Sequence, residues 1–292
     1  MSTARSDVVA GRAGGADGTG GGVGVTGTAF RAGRDAGRAL LVGYLPAGFP
    51  TVPGAIALMR AMVDAGVDVV EVGLPYSDPV MDGPTIQAAS DRALRGGTRI
   101  RDVLATVEAV AATGVPTLVM TYWSPVDRYG VDRFAADLAS AGGAGLITPD
   151  LVPDDAEPWL AASDAHSLDR VFLVSPSSTD ARLAMTVAAC RGFVYATAVM
   201  GVTGARASAS GAAPVLVERV RSVTTGPVAV GLGVSDGAQA AAVAAFADGV
   251  IVGSALIRRV QDAPDDAAGV RSVAALAGEL AEGVRSTTRR TA

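Results

Sequence analysis

Lysine is missing from this chain of 292 residues, so all 24 basic residues are arginine. Histidine and cysteine occur once each, as His166 and Cys190. Schiff-base catalysis needs a lysine amine, and most catalytic zinc sites draw on several His or Cys ligands. Proton transfer must then fall to Asp, Glu or Tyr. A single cysteine forms no internal disulfide. No N-terminal segment combines a charged start, an apolar stretch and a cleavage site, so a reducing cytoplasm is the expected location. Positive charge is in deficit as well: a net charge of −5 and a pI near 4.9 disfavour a nucleic-acid partner, whose phosphates call for dense positive charge. Long apolar runs are also missing. The mean hydropathy is +0.37, yet no stretch reaches the roughly 18 to 20 uninterrupted apolar residues that span a bilayer, which excludes a membrane partner on this reading.

What is present is a repeat of short apolar runs and longer helical patterns. Residues 1–36 are rich in Gly and Ala with scattered Arg, and read as a disordered tail unable to bury enough apolar surface to offset its ordering entropy. From Leu40 onward eight strands are expected: Leu40–Leu45, Val67–Gly73, Thr117–Thr121, Ala144–Thr148, Arg170–Val174, Phe193–Thr197, Val228–Gly231 and Gly249–Val252. Helical patterns separate them, at Val52–Ala65, Ile100–Ala112, Val131–Ala141, Ala156–Ala162, Ala181–Ala189, Pro214–Val223 and Asp236–Phe246, with a closing helix over Gly269–Gly283. Ser235 and either Thr179 or Asp180 are the expected caps of two of these helices. Eight βα units favour an α/β fold, a (βα)8 TIM barrel spanning residues 37–287 as a single domain, over an open doubly wound sheet.

In such a barrel the active site lies where the loops after the strands converge. Strand two carries Glu71 inside the apolar run Val69-Val70-Glu71-Val72-Gly73. Burial raises the pKa of a carboxyl and suits it to donate and accept protons near neutral pH; a structural ion pair with an Arg is the other reading. The following loop, stiffened by Pro75, Pro79 and Pro84, carries Asp78 and Asp82, and an Asp before Gly is equally a turn residue. Tyr122 and Tyr195 fall at the ends of strands three and six, as wall or core. Three glycine-bearing segments favour a phosphate: Gly231-Leu232-Gly233, Gly253-Ser254, and Gly201-Val202-Thr203-Gly204. The long segment Met200–Ala213 suits a mobile lid or an ordinary loop. His166 is expected at the surface.

These motifs resemble those of tryptophan synthase α subunits. The likeness rests on Glu71-Val72-Gly73-Leu74-Pro75-Tyr76-Ser77-Asp78-Pro79, then Asp82-Gly83-Pro84-Thr85-Ile86-Gln87, Met120-Thr121-Tyr122-Trp123, Thr148-Pro149-Asp150-Leu151-Val152-Pro153, Gly201-Val202-Thr203-Gly204-Ala205-Arg206 and Val252-Gly253-Ser254-Ala255. It implies retro-aldol cleavage of indole-3-glycerol phosphate to indole and glyceraldehyde 3-phosphate. Glu71 corresponds to the acid/base and Asp82 to the acid that pairs with the indole N–H. Tyr122 lies near the indole and Tyr195 near the glycerol phosphate, with the phosphate among Gly204, Gly233, Gly253 and Ser254. The resemblance further implies an α2β2 heterotetramer with a β subunit. Pyridoxal phosphate would belong to that partner, since this chain has no Lys to hold it and needs no cofactor or metal of its own. A free-standing indole-glycerol phosphate lyase is the alternative, and a barrel kept only as a structural partner a third. Ser124 stands where the family usually has Asn, and Leu45-Pro46-Ala47-Gly48-Phe49-Pro50 departs from the family's Thr-Ala-Gly-Asp-Pro.

Overall fold

The computed structural model describes residues 23–197 and 211–287. Eight parallel strands close into a barrel in sequence order. They are β1 (Leu40–Pro46), β2 (Val69–Gly73), β3 (Thr117–Met120), β4 (Gly145–Thr148), β5 (Asp169–Val174), β6 (Val194–Thr197), β7 (Val228–Gly231) and β8 (Gly249–Val252). β8 pairs with β1, placing Leu40 beside Gly249 and closing the ring. The expected strands are all found, with ends shifted by at most two residues.

Helices wrap the barrel: α1 (Gly24–Asp35), α2 (Val52–Asp64), α3 (Pro84–Arg95), α4 (Ile100–Ala111), α5 (Trp123–Tyr129), α6 (Val131–Ser140), α7 (Glu157–Ala165), α8 (Asp180–Ala189), α9 (Ala212–Arg221), α10 (Gly237–Ala244), α11 (Ser254–Gln261) and α12 (Asp266–Ser286). Thr179 caps α8 as expected, accepting from Arg182 N at 3.3 Å. The cap of α10 lies one residue past the expected one: Asp236, rather than Ser235, accepts from Gln239 N at 2.8 Å. The Ser235 hydroxyl instead donates to Gln239 Oε1.

Alternation along each strand sorts side chains into two cores. Leu40, Val42, Val69, Leu118, Ile147, Val171, Phe193, Ala229 and Ile251 point into the barrel, while Leu41, Val70, Val72, Val119, Leu146, Phe172 and Val250 pack outward under the helices. The inner set has small members, Ala229 and Gly249, on the last two strands. They leave room for a side chain from outside the sheet.

That side chain is Phe30, which corrects the reading of residues 1–36 as a disordered tail. Residues 1–22 lie outside the described ones, but Gly24–Asp35 forms α1. Its N-cap residue, Val23, offers no side-chain cap. Asp169, from the base of β5, accepts from Val25 N at 3.2 Å, Thr26 N at 2.7 Å and the Thr26 hydroxyl at 2.5 Å, and so caps the helix from 143 or more residues away. Phe30 then plugs the barrel floor against Phe193, with ring centroids 5.0 Å apart. A Cβ on Gly249 would come within 2.7 Å of the Phe30 ring. Truncating a fully buried Phe costs roughly 3 to 5 kcal/mol. Phe30→Ala is therefore expected to lower urea-unfolding stability by about that much; a cost under about 1 kcal/mol would return this segment to the tail.

Candidate active site

Alternation puts Glu71 on the inner face of β2, one step above Val69. In register it lies between Tyr44 of β1 and Leu118 of β3. It is fully buried, and neither carboxyl oxygen has a hydrogen-bond partner among the described residues. The alternative of a structural ion pair with an Arg is thereby ruled out among them. Loss of water alone disfavours the charged form and pushes its pKa up to about 8.

The loop from Leu74 to Gly83 carries the second acid toward the mouth. Gln87, in the first turn of α3, donates from Nε2 to the Asp82 carbonyl at 2.7 Å and ties down the loop's end. Tyr122 sits at the start of α5. Its hydroxyl accepts from Met81 N at 3.0 Å and donates to the Asp82 carboxylate. Burial raises Asp82 to about 6, and the Tyr122 hydrogen bond holds it from going higher. Asp78 points elsewhere, accepting from the Ser77 hydroxyl at 2.5 Å. The turn-residue reading therefore suits Asp78, whereas Asp82 faces the mouth.

Tyr122 is in turn fixed from both sides. Its ring lies 5.4 Å from that of Tyr76, and the next backbone amide, Trp123 N, donates to both oxygens of Asp150 after β4, at 2.9 and 3.1 Å. Beside it, Tyr76, Ile100, Ser124, Pro125, Arg128 and Tyr129 line a cavity of about 320 Å³. Ser124, the departure from the family pattern, thus lies one step behind the mouth rather than in it.

The expected phosphate residues divide. Thr203 and Gly204 lie outside the described residues, as does most of the expected lid Met200–Ala213; its last two residues open α9. Gly233 adopts φ +68 with open space where a Cβ would stand, a backbone shape that glycine suits. Ser254 begins α11 with Gly253 as N-cap, and no side chain of the described residues caps that helix, which leaves its first amides available. Gly231 and Gly253 have a further reason to be bare: a Cβ on Gly231 would stand 2.7 Å from the Tyr195 hydroxyl, and one on Gly253 3.0 Å from the Tyr44 ring. Leu232 packs, half-buried, on the outer core. His166 takes no part, pairing with Asp132 at 3.1 Å.

Tyr44 is the site residue that sequence reading missed. It is 8% exposed and lies within the electrostatic reach of Glu71, Asp82, Tyr122 and Tyr195; burial first, and those negative neighbours second, raise its pKa well above the usual value. Tyr195 is raised in the same way, by burial, Glu71 and Asp82. The parity Leu40, Val42, Tyr44 was the available signal, since every second residue of β1 faces inward. Met120 and Leu173, half-exposed inside the ring, supply apolar wall.

Two carboxyls with separated pKa values at the C-terminal mouth of a closed βα barrel define an enzyme of acid/base chemistry. Over residues 30–285 the chain matches the family described as tryptophan synthase alpha chain. It is 70% identical over 260 residues to the tryptophan synthase alpha chain of Salinispora arenicola, covering 89% of this chain and 97% of that one. The Thermobifida fusca alpha chain is 61% identical over 256 residues, covering 87% and 95%. Among solved structures, Mycobacterium tuberculosis tryptophan synthase superposes with a TM-score of 0.84 at 58% identity, covering 90% of this chain and 98% of that one. The Legionella pneumophila alpha subunit gives 0.82 at 29% identity, covering 90% and 99%. The chain belongs to the tryptophan synthase alpha chain family and is a lyase of tryptophan biosynthesis that catalyses the α reaction.

Burial of Glu71 also has a pH signature. The folded chain keeps a proton that the unfolded chain releases above about 4.5, so this group's contribution to stability is full below that pH and is lost as pH rises to about 8. The span is on the order of 5 kcal/mol. Urea unfolding of wild type and Glu71→Gln at pH 5 and pH 8.5 is expected to show the Gln variant gaining on wild type at the higher pH. Parallel profiles would contradict the raised pKa.

Proposed function

We propose that Glu71 and Asp82 divide the retro-aldol cleavage of indole-3-glycerol phosphate between them. Near neutral pH a carboxyl with a pKa of about 8 is mostly protonated and one near 6 mostly ionised. Neutral Glu71 protonates the indole carbon that bears the glycerol chain. The positive charge that results spreads to the ring N–H, where the Asp82 carboxylate stabilises it. Glu71, now a carboxylate, takes the proton from the hydroxyl on the adjoining carbon. The carbon–carbon bond breaks, its electrons return to the ring, indole and glyceraldehyde 3-phosphate leave, and Glu71 is again protonated. What carries this reading is the fully buried carboxyl of Glu71, without a hydrogen-bond partner among the described residues, on the inner face of the barrel below Asp82.

In the same reading Tyr122 lies by the indole ring and Tyr195 by the glycerol phosphate. The phosphate is held by the uncapped start of α11 at Gly253 and Ser254, by Gly231, Leu232 and Gly233, and by Thr203 and Gly204. The chain works in the cytoplasm without a cofactor of its own, and hands indole to a pyridoxal phosphate-bearing β subunit in an α2β2 assembly. Val80, 78% exposed at the tip of the loop that carries Asp82, supports a partner on that side. No helix of the described residues is long and apolar enough to cross a membrane.

The test is indole release from indole-3-glycerol phosphate by wild type, Glu71→Gln and Asp82→Asn, with and without a β subunit. General acid/base catalysis is worth about 100- to 10,000-fold, and the Gln variant is expected to lose at least that. Activation of wild type by the β subunit is expected as well. Wild-type activity in Glu71→Gln would move the proton transfers to another residue, and high activity indifferent to the β subunit would favour a free-standing lyase.

A further inference from the structure

The bare backbones of Gly73 and Gly253 clear a slot for one side chain. A Cβ on Gly73 would collide with the Tyr44 hydroxyl, and one on Gly253 would stand 3.0 Å from the opposite edge of the same ring. The ring of Tyr44 thus reaches from the end of β8, where α11 opens, across to the end of β2 above Glu71. Both neighbouring strands are cut back to the backbone to admit it.

Packing explains the ring but not the oxygen. A phenylalanine would fill the same slot, and the Tyr44 oxygen is not among the fully enclosed unpartnered atoms, so it opens toward the site. The Tyr122 hydroxyl, by contrast, is already engaged by Met81 N and Asp82. Tyr44, 8% exposed, makes no hydrogen bond with any described residue. Tyr195 repeats the arrangement across the barrel, its hydroxyl over Gly231 on the next strand as that of Tyr44 lies over Gly73. Two phenols from β1 and β6 therefore flank the buried acid, each aimed at the mouth.

We propose that Tyr44 is a further catalytic residue whose hydroxyl hydrogen-bonds the middle hydroxyl of the substrate's glycerol chain. That carbon lies between the one whose hydroxyl Glu71 deprotonates and the one that carries phosphate. Tyr44 lies between Glu71 and the Gly253–Ser254 turn. The contact holds the breaking bond over Glu71 and distinguishes a hydroxylated chain from a bare alkyl one. With its pKa raised, Tyr44 keeps its proton and remains a donor throughout the working pH range.

This inference rests on the placement of Glu71 and the phosphate given above, and the experiment separates the two. Wild type, Tyr44→Phe and Glu71→Gln are assayed with indole-3-glycerol phosphate. The first two are also assayed for inhibition by the analogue in which both glycerol hydroxyls are replaced by hydrogen. Tyr44→Phe is expected to lose roughly 2- to 12-fold in kcat/KM, the worth of one neutral hydrogen bond, with its inhibition by the analogue unchanged. Unchanged kcat/KM, or an equal loss of affinity for the analogue, would overturn the role of the hydroxyl while leaving a dead Glu71→Gln to uphold the underlying reading. Full activity in Glu71→Gln would overturn both.

Discussion

A carboxyl group enclosed at the centre of a barrel, with neither oxygen bonded to the described protein, is costly to ionise. Much of the architecture around Glu71 maintains that condition. The eight strands close without an edge, so the inner face of β2 meets side chains on every side. Val42, Val69, Leu118 and Ile251 fill the barrel beneath, and Phe30 stops its floor. The helix that brings Phe30 thus closes the end of the barrel opposite the site.

Above Glu71 the polar groups form a chain that crosses three loops. Gln87 holds the Asp82 carbonyl, Tyr122 takes both Met81 N and the Asp82 carboxylate, and Asp150 secures the amide of Trp123 that follows Tyr122. The first link ties the loop after β2 to its own helix, and the other two join the end of β3 to those of β2 and β4. A carboxylate on a loop is thus placed nearly as firmly as one on a strand, which catalysis by orientation requires. The difference between the two acids is one of solvation: Glu71 is fully buried and accepts no hydrogen bond from a described residue, whereas Asp82 has a hydroxyl donor and a half-open face, and their pKa values part accordingly.

The strand pattern was legible because each run is short, apolar and bounded by Gly, Pro or Asp, and Glu71 stood out as an acid inside one of them. The loop with Asp82 was legible as a stiff arm, but its acids were ambiguous until Tyr122 was seen to bond one and Ser77 the other. The helix α1 was not legible: its residues are polar and Gly-rich, and it exists through a cap from Asp169 and a Phe pocket formed by Phe193 and Gly249. Those partners are distant in sequence, and local propensity cannot register them. Tyr44 is hidden for a related reason, since alternation marks it as inward but does not separate wall from core. Gly231 and Gly253 read as phosphate glycines, while the tyrosines that need their bareness come from neighbouring strands. The acid/base reading of Glu71 followed from its place inside an apolar strand, whereas the pairing of Asp82 with the indole N–H came from the family resemblance.

The chemistry depends on the protonation of one group, and that can be observed directly. A 13C NMR titration of the isolated chain, labelled at glutamate carboxyls and assigned with Glu71→Gln, is predicted to show the Glu71 carboxyl titrating near pH 8. A midpoint near 4.5, the ordinary value, would mean that Glu71 is ionised at neutral pH and cannot supply the first proton.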